Sequence, residues 1–312
     1  MEKIAILIPC YNEEKTIGKV IDDFKHELPN ATIYVYDNNS TDGTSEIARY
    51  HGAIVRKEHR QGKGNVVRSM FQDINADYYL MVDGDDTYPA SSANELLMPL
   101  KTGRANMTIG DRLSNGTYGK ENKRKFHGFG NDLVRWSINK LFKSNINDIM
   151  TGYRGFDRYF VKNFPVLSSG FQIETELSIH CVENDFLIQE IPIDYRDRPE
   201  GSFSKLNTFS DGIKVINMIL RMLKDVRPFL FFGGFSLLLL IVGLVLGIPV
   251  INEFVKTGLV LKLPTAVLST SLIIISVISF FTGAILDTIN TNHKKQYFLM
   301  LVRYKEMFNK NE

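Results

Sequence analysis

Two apolar runs near the C-terminus constrain this chain more than any other feature. The first, Pro228 to Asn252, reads PFLFFGGFSLLLLIVGLVLGIPVIN, and the second, Leu263 to Leu286, reads LPTAVLSTSLIIISVISFFTGAIL. Each holds about 25 residues without a charge, and about 20 suffice for a helix to cross a bilayer's hydrocarbon. One such run could be a buried core helix. Two in tandem, joined by the short EFVKTGLVLK, predict a membrane hairpin with both ends on one side. Arg221, Lys224 and Arg227 precede the pair and Lys294, Lys295, Arg303 and Lys305 follow it, while only Lys256 and Lys262 lie between. Excess Lys and Arg mark the cytoplasmic side, so the rest of the chain and its tail are expected in the cytoplasm, anchored at the cytoplasmic membrane. Neither run carries an ionisable residue at its middle, as an ion or proton path would require. These helices are expected to anchor.

Before the hairpin, apolar strands alternate with amphipathic helices. KIAILIPCY, ATIYVYD, AIVRKE, DYYLMVDGD, NMTIGDR and FLIQEIPIDYR read as strands. Helices are predicted over 13–28, 45–52, 63–74 and 91–101; in the first, Ile17, Val20, Ile21, Phe24 and Leu28 fall on one face. Such alternation predicts an open, mainly parallel sheet covered by helices, whose ligands sit beyond the carboxyl ends of the strands. That is where the polar clusters fall: Tyr11 to Glu13, Asp37 to Asp42, Asp83 to Asp86, and Asp111 with Arg112. The expected organisation is a catalytic domain over 1–206, an amphipathic juxtamembrane helix over 207–227, spans over 228–252 and 263–286, and a tail over 287–312. The 37 Lys and Arg nearly cancel the 35 Asp and Glu, so no net field draws the chain to nucleic acid. Cys10 and Cys181 stand alone, which fits a reducing compartment and no disulfide or zinc framework. Cys181 and His127 are read as structural.

The sharpest chemical signal is VDGDDTYP, where three carboxylates crowd into four residues at the end of the fourth strand. Like charges this close call for a positive partner. Carboxylate oxygens suit Mg²⁺ or Mn²⁺, and Mg²⁺ prefers one or two protein carboxylates completed by substrate phosphates. An Asp-x-Asp alone is equally an ordinary turn. Here the preceding strand is apolar, Gly84 permits close backbone approach, and polar clusters end the neighbouring strands.

The segments IPCYNEEKTIG, YDNNSTDGT, RQGKGNVVR and VDGDDTYP, in this order, resemble inverting family 2 glycosyltransferases of the GT-A fold. The later IGDR, DIMTGYRGF, GFQIETEL and RPEGSFSKL, with the two spans, are similar to polyprenyl-phosphate glycosyltransferases, relatives of dolichyl-phosphate mannose synthases and bacterial undecaprenyl-phosphate glucosyltransferases. The resemblance implies an α/β fold: a Rossmann-like GT-A catalytic domain with a mainly parallel sheet, followed by a two-helix transmembrane hairpin. It implies transfer of one hexosyl group from a nucleotide sugar to undecaprenyl or dolichyl phosphate, for modification of a cell-envelope glycan. UDP-glucose or UDP-N-acetylglucosamine is favoured over GDP-mannose by analogy of architecture alone. Oligomeric state is left open.

The resemblance also implies roles. Pro9, Tyr11, Asn12 and Glu13 in the first loop and Asp37 after the second strand hold base and ribose, although Tyr11 to Glu13 also suit a helix cap. Asp83, Gly84 and Asp85 match the Asp-x-Asp, with Asp83 nearer the ribose and both carboxylates serving the metal. Asp86 has no assigned role. QGKGN lacks Walker spacing, and no Ser or Thr follows Lys63; the resemblance brings this backbone and Lys63 to the nucleotide, while the residues alone read as a turn before a helix. Arg198, Ser204 and Lys205 are similar to a segment that closes over the diphosphate, and Lys205 would equally suit lipid headgroups. Arg112 and then Arg124 are expected to clamp the acceptor phosphate, since a guanidinium fork matches phosphate oxygens. Asp111, Thr151 and Arg154 are placed on the acceptor side, with Asp148 and Gly152 shaping it. Glu174 and Glu176 either face the sugar or orient basic residues.

Two rival functions belong to other classes. A processive polysaccharide synthase carries Gln-x-x-Arg-Trp, which Asp132 to Trp136 imitate without the Gln and in the wrong order relative to TGYR; Trp136 reads as helix packing. A non-catalytic membrane scaffold would have no use for Asp83, Asp85 and Arg112.

Overall fold

The computed structural model describes residues 2–116, 127–170, 172–196 and 220–309. The chain divides into two compact units, Met1–Thr208 and Phe209–Glu312.

The first unit is a seven-stranded sheet in the order β3-β2-β1-β4-β6-β5-β7. Its strands are β1 (Ile4–Cys10), β2 (Thr32–Asp37), β3 (Ile54–Lys57), β4 (Tyr78–Met81), β5 (Met107–Asp111), β6 (Arg154–Asp157) and β7 (Ile188–Pro192). All neighbours pair in parallel except β6, which runs antiparallel between β4 and β5. Helices α1 (Ile17–Glu27), α2 (Thr44–Tyr50), α3 (Lys63–Asp73), α4 (Ala93–Lys101), α5 (His127–Phe142), α6 (Arg158–Asn163) and α7 (Ile173–Glu183) complete it. Register aligns the functional edge: Cys10 lies opposite Asp37, Asp37 opposite Lys57, and Met81 opposite both Leu7 and Arg154. The beginning of β6 therefore sits beside the ends of β4 and β5. This strand escaped the sequence reading because it has four residues and no alternation.

Packing follows the apolar spacing. Ile17, Val20, Ile21 and Phe24 bury one face of α1 against Ile6, Ile8, Val35 and Leu80 of the sheet, each side chain contributing about 1.5–3 kcal/mol. Phe24 meets Tyr153 edge-on, with centroids 6.0 Å apart. The helix starts at Ile17 rather than Glu13 because Asn12 adopts φ 55°, and the Glu13 carbonyl accepts from the amides of both Thr16 and Ile17. It ends where Leu28, preceding a proline, leaves the helical region.

The second unit contains α8 (Pro228–Thr257) and α9 (Leu263–Asn309). Gly258, with φ 69°, closes α8 by donating to the Phe254 carbonyl. The helices run antiparallel along a seam of small residues. Ser236 Oγ donates to the Ser276 carbonyl and Ser276 Oγ to the Ser236 carbonyl, each at 2.9 Å, and Ser269 Oγ reaches the Gly243 carbonyl. Only 11% and 17% of their most apolar windows is buried, whereas a soluble core helix would be mostly covered. Their apolar faces suit a lipid solvent. Helix α9 continues without a break past Leu286. Of the expected juxtamembrane helix, residues 207–219 lie outside the described residues.

Candidate functional site

The positive partner of the VDGDD carboxylates comes from the protein itself. Lys63, the first residue of α3, places Nζ 2.5 Å from Asp83 Oδ1 and 2.6 Å from Glu174 Oε1 of α7. A cation at a helix N-terminus opposes the helix dipole, so the two carboxylates hold it there. Burial alone would push the Lys63 ammonium down; the charges of Asp83 and Glu174 outweigh burial and hold it above its ordinary range. On its other side Asp83 faces Gly152, where a Cβ would come 2.4 Å from Oδ2. Glycine at 152 lets the loop backbone come close against that face of the carboxylate. Asp85 is buried, and its Oδ1 accepts from Thr87 Oγ1 at 2.7 Å. Asp86 is a left-handed turn residue (φ 58°) paired with Lys19 of α1 at 2.8 Å, which gives it a structural place.

Tyr88 joins this cluster to the end of β5. Its hydroxyl accepts from the Gly152 amide at 2.9 Å and lies 3.4 Å from Arg112 Nη1. Burial above all raises the Tyr88 phenol, so it stays protonated. Arg112 is itself buried, and Asp148 takes its fork through Nε at 2.7 Å and Nη2 at 2.9 Å. The guanidinium carbon sits 6.0 Å from the Tyr88 ring centre and 5.7 Å from that of Tyr195. Asp148 is fixed in turn because its amide donates to Glu190 at 3.0 Å. The guanidinium expected to meet a phosphate thus already presents its Nε–Nη2 edge to a carboxylate.

The loops after β1, β2 and β3 are stitched into one wall. The Asn12 amide donates to Ser40 Oγ, the Glu13 amide to Thr44 Oγ1, and Asn12 Oδ1 accepts from the Thr41 amide. Asp37 is buried and accepts from the Ser40 amide and Ser45 Oγ; burial pushes its carboxyl up, and these hydrogen bonds outweigh it and hold it low. Asn38 donates to the carbonyls of Glu58 and Arg60 and accepts from the Gly62 amide at 2.6 Å. The Asp-x-Asp turn locks onto this wall because Thr16 Oγ1 donates to the Gly84 carbonyl at 2.6 Å, and a Cβ at Gly84 would come 2.9 Å from Cys10 Sγ. Left-handed Asn12 and Asn39, with φ 55° and 67°, bend the first two loops back toward the edge; Asn tolerates that conformation better than bulkier residues.

Asp83, Asp85, Gly84, Lys63, Thr151 and Arg112 fall within one contiguous set of contacts, and Pro9, Tyr11, Asn12 and Glu13 lie on the adjoining wall. Two expectations change. Arg154 is fully buried and donates to the carbonyls of Thr151 and Ile149 and to Ser178 Oγ; it props the loop before β6 and has no surface for an acceptor. Asp111 likewise turns inward, accepting from the amides of Leu113 and Ser114. The glycines of QGKGN answer to packing: a Cβ at Gly62 or Gly64 would come 2.1 or 2.2 Å from the carbonyls of Ser169 and Ser168. Glu176 holds that same loop by accepting from the Leu167 and Ser168 amides. Trp136 lies on α5 and is 62% exposed, against the helix packing expected of it. Arg124, Arg198, Ser204 and Lys205 lie outside the described residues. Tyr88 and Asn38 were missed as organisers, and Asp148, expected to shape the acceptor side, holds Arg112; TYP directly after the Asp-x-Asp was the available signal for Tyr88.

Among the described residues no group of three or more His, Cys, Asp or Glu is arranged to hold a metal ion. The donor set at the end of β4 is two carboxylates, Asp83, whose side chain is partly exposed, and Asp85, oriented by Thr87. That suits a hard cation completed by a ligand's phosphate oxygens.

Comparison with known proteins agrees with this fold. The sequence profile "Glycosyl transferase family 2" matches residues 5–164. Glycosyltransferase AglJ of Haloferax volcanii is 33% identical over 296 residues, covering 95% of this chain and 96% of that protein. A dolichyl-phosphate hexose transferase of the same organism is 27% identical over 226 residues, covering 72% of this chain and 96% of its own. Among solved structures, glucosyl-3-phosphoglycerate synthase from Mycobacterium tuberculosis, in complex with Mn²⁺, uridine diphosphate and phosphoglyceric acid, superposes with a TM-score of 0.58 at 19% identity, covering 72% of this chain and 78% of that one. At that identity the likeness is one of fold, the GT-A arrangement.

Proposed function

The chain belongs to glycosyl transferase family 2, and from that premise we propose that it transfers one hexosyl group, with inversion, from a nucleotide sugar to a polyprenyl phosphate. The product is a polyprenyl-phosphate monosaccharide. The observation that carries this reading is the presence in one chain of a carboxylate pair at the end of β4 and two apolar helices long enough to cross a membrane. The activity named for the dolichyl-phosphate hexose transferase supports it. UDP-glucose and UDP-N-acetylglucosamine are the donors we favour, with GDP-mannose third.

A lipid phosphate monoester is mostly dianionic near neutral pH, its second pKa being about 6. The acceptor is then already a nucleophile, and no side chain need act as a strong base. The task of the protein is to hold two anions within bonding distance. Asp83 and Asp85 would hold a Mg²⁺ or Mn²⁺ ion, which when bound supplies neutralisation of the leaving diphosphate. Thr87 orients Asp85, and Lys63 with Gly152 orients Asp83. The wall from Pro9, Tyr11, Asn12, Glu13 and Asp37 receives base and ribose. Arg112 meets the acceptor phosphate from its Nη1 side, with Thr151 beside it. Arg124 is assigned to the same anion, and Arg198, Ser204 and Lys205 to the donor diphosphate. The charge bias around the spans favours a cytoplasmic catalytic domain and tail.

The test is purified protein in detergent with undecaprenyl phosphate, Mn²⁺ and each labelled donor in turn, the products identified by mass. One hexose per lipid supports the proposal. A polymer would assign the chain to the processive synthases, and no product with any donor would leave a scaffold.

A further inference from the structure

Lys63 and the divalent cation are both drawn to one carboxylate. The ammonium touches Asp83 Oδ1, while the Asp83 side chain remains 28% exposed. Lys63 is wedged from behind by Glu174, and their side chains are only 9% and 7% exposed. Around them the ammonium has little freedom: the Gly62 and Gly64 backbone is seated against Ser168 and Ser169, and that loop is held by Glu176 from α7. Charges in such a place are weakly screened by salt. A second cation arriving at Asp83 alone therefore meets a fixed positive charge. A donor diphosphate changes the balance, since its oxygens offer partners to both.

We infer that the Lys63 ammonium, wedged between Asp83 and Glu174, makes divalent-cation uptake conditional on the nucleotide, so that ion and donor diphosphate enter together and the ion does not bind first. The inference rests on the cation site proposed above and adds an order of binding to it. Lys63 is here a positioning residue: it acts through Asp83 and needs no contact with the sugar. An ordered uptake of this kind keeps the site from being occupied by an ion without substrate.

The double variant K63M/E174Q tests it, because removing one positive and one negative charge leaves the local net charge unchanged while clearing Asp83 Oδ1. Mn²⁺ binding to the full-length protein in detergent is followed by electron paramagnetic resonance, with and without UDP, and in parallel with GDP. In the wild type, the nucleotide should tighten Mn²⁺ strongly. In the double variant, Mn²⁺ without nucleotide should bind about tenfold tighter than in wild type, a typical size for coupling between sites, and the tightening by nucleotide should shrink by the same factor. E174Q alone leaves Lys63 on Asp83 and should keep the wild-type pattern. Equal Mn²⁺ affinity in wild type with and without nucleotide overturns the inference without any variant, as does a double variant with unchanged coupling. Absence of Mn²⁺ binding in every protein with either nucleotide would instead overturn the cation site itself.

Discussion

Arg112 and Asp148 form an enclosed ion pair, and removing either partner has a calculable consequence. Arg112 is 8% exposed and Asp148 3%; two side-chain hydrogen bonds of 2.7 and 2.9 Å join them, and the Arg112 amide adds a third contact to Asp148 at 3.2 Å. Deleting one partner of a buried pair strands the other charge, at about 3–5 kcal/mol. Asp148→Ala should fall near the lower end, since the cation keeps its two aromatic neighbours. Arg112→Ala should fall higher because the Asp148 carboxylate keeps, among the described residues, only the amide of residue 112. Once one partner is gone the second has little left to lose, so Arg112→Ala/Asp148→Ala should cost far less than the sum, with a coupling of at least about 2 kcal/mol. Pulse proteolysis of the detergent-solubilised protein across a urea series measures all three. Additive single and double losses, or singles below about 0.5 kcal/mol, would mean the pair is solvated and the argument for a preformed Arg112 fails.

Gly152→Ala would push a methyl to 2.4 Å from Asp83 Oδ2; a misplacement of about 1 Å at a reacting site costs about 100-fold, so kcat/KM should fall by that order, and a change within about twofold would refute the close approach. Burial holds the His180 imidazole down at about 4, against an ordinary value of about 6.5. The folded protein then binds fewer protons than the unfolded chain, and stability fully present above about pH 6.5 is lost as pH falls toward 4, by about 3 kcal/mol over the window. His180→Phe, among Phe160, Phe164 and Phe186, should flatten that slope in proteolysis against pH. The comparison must be with wild type, because Asp157, raised by burial to about 6, contributes the opposite slope in both proteins. Ser236→Ala removes one side of the reciprocal seam between α8 and α9; hydrogen bonds between membrane helices average about 0.6 kcal/mol, and a loss above about 2 kcal/mol in bicelle unfolding would contradict that seam.

The elements legible in the sequence were those whose pattern is local. The parallel strands announced themselves as apolar runs ending in polar clusters, α1 by its repeating apolar face, and the hairpin by uncharged length. What escaped depends on contacts between distant segments. β6 is a short strand defined by its neighbours. The cation at Asp83 arrives from a helix start 20 residues earlier in the chain, and its second partner, Glu174, lies 111 residues beyond it, so VDGDD pointed to a metal while the first positive charge is a lysine. Arg112 and Asp148 were both visible as polar residues in apolar surroundings, but nothing in GDR or DIMTGYR says that they bond to each other. Arg154 misled for a related reason: a charged residue beside a glycine reads as a site, and here it supports one from beneath.

The central claim is that Asp83 and Asp85 take up a divalent cation that lets the sugar leave its nucleotide for a lipid phosphate. The most direct test is transfer from the labelled donor to undecaprenyl phosphate by wild-type protein, before and after exhaustive chelation and on adding back Mn²⁺, with Asp85→Asn alongside. The account predicts that turnover disappears on chelation, returns with the ion, and stays low at every Mn²⁺ concentration in Asp85→Asn. Full turnover in the chelated enzyme, or an unchanged Mn²⁺ dependence in Asp85→Asn, would contradict it.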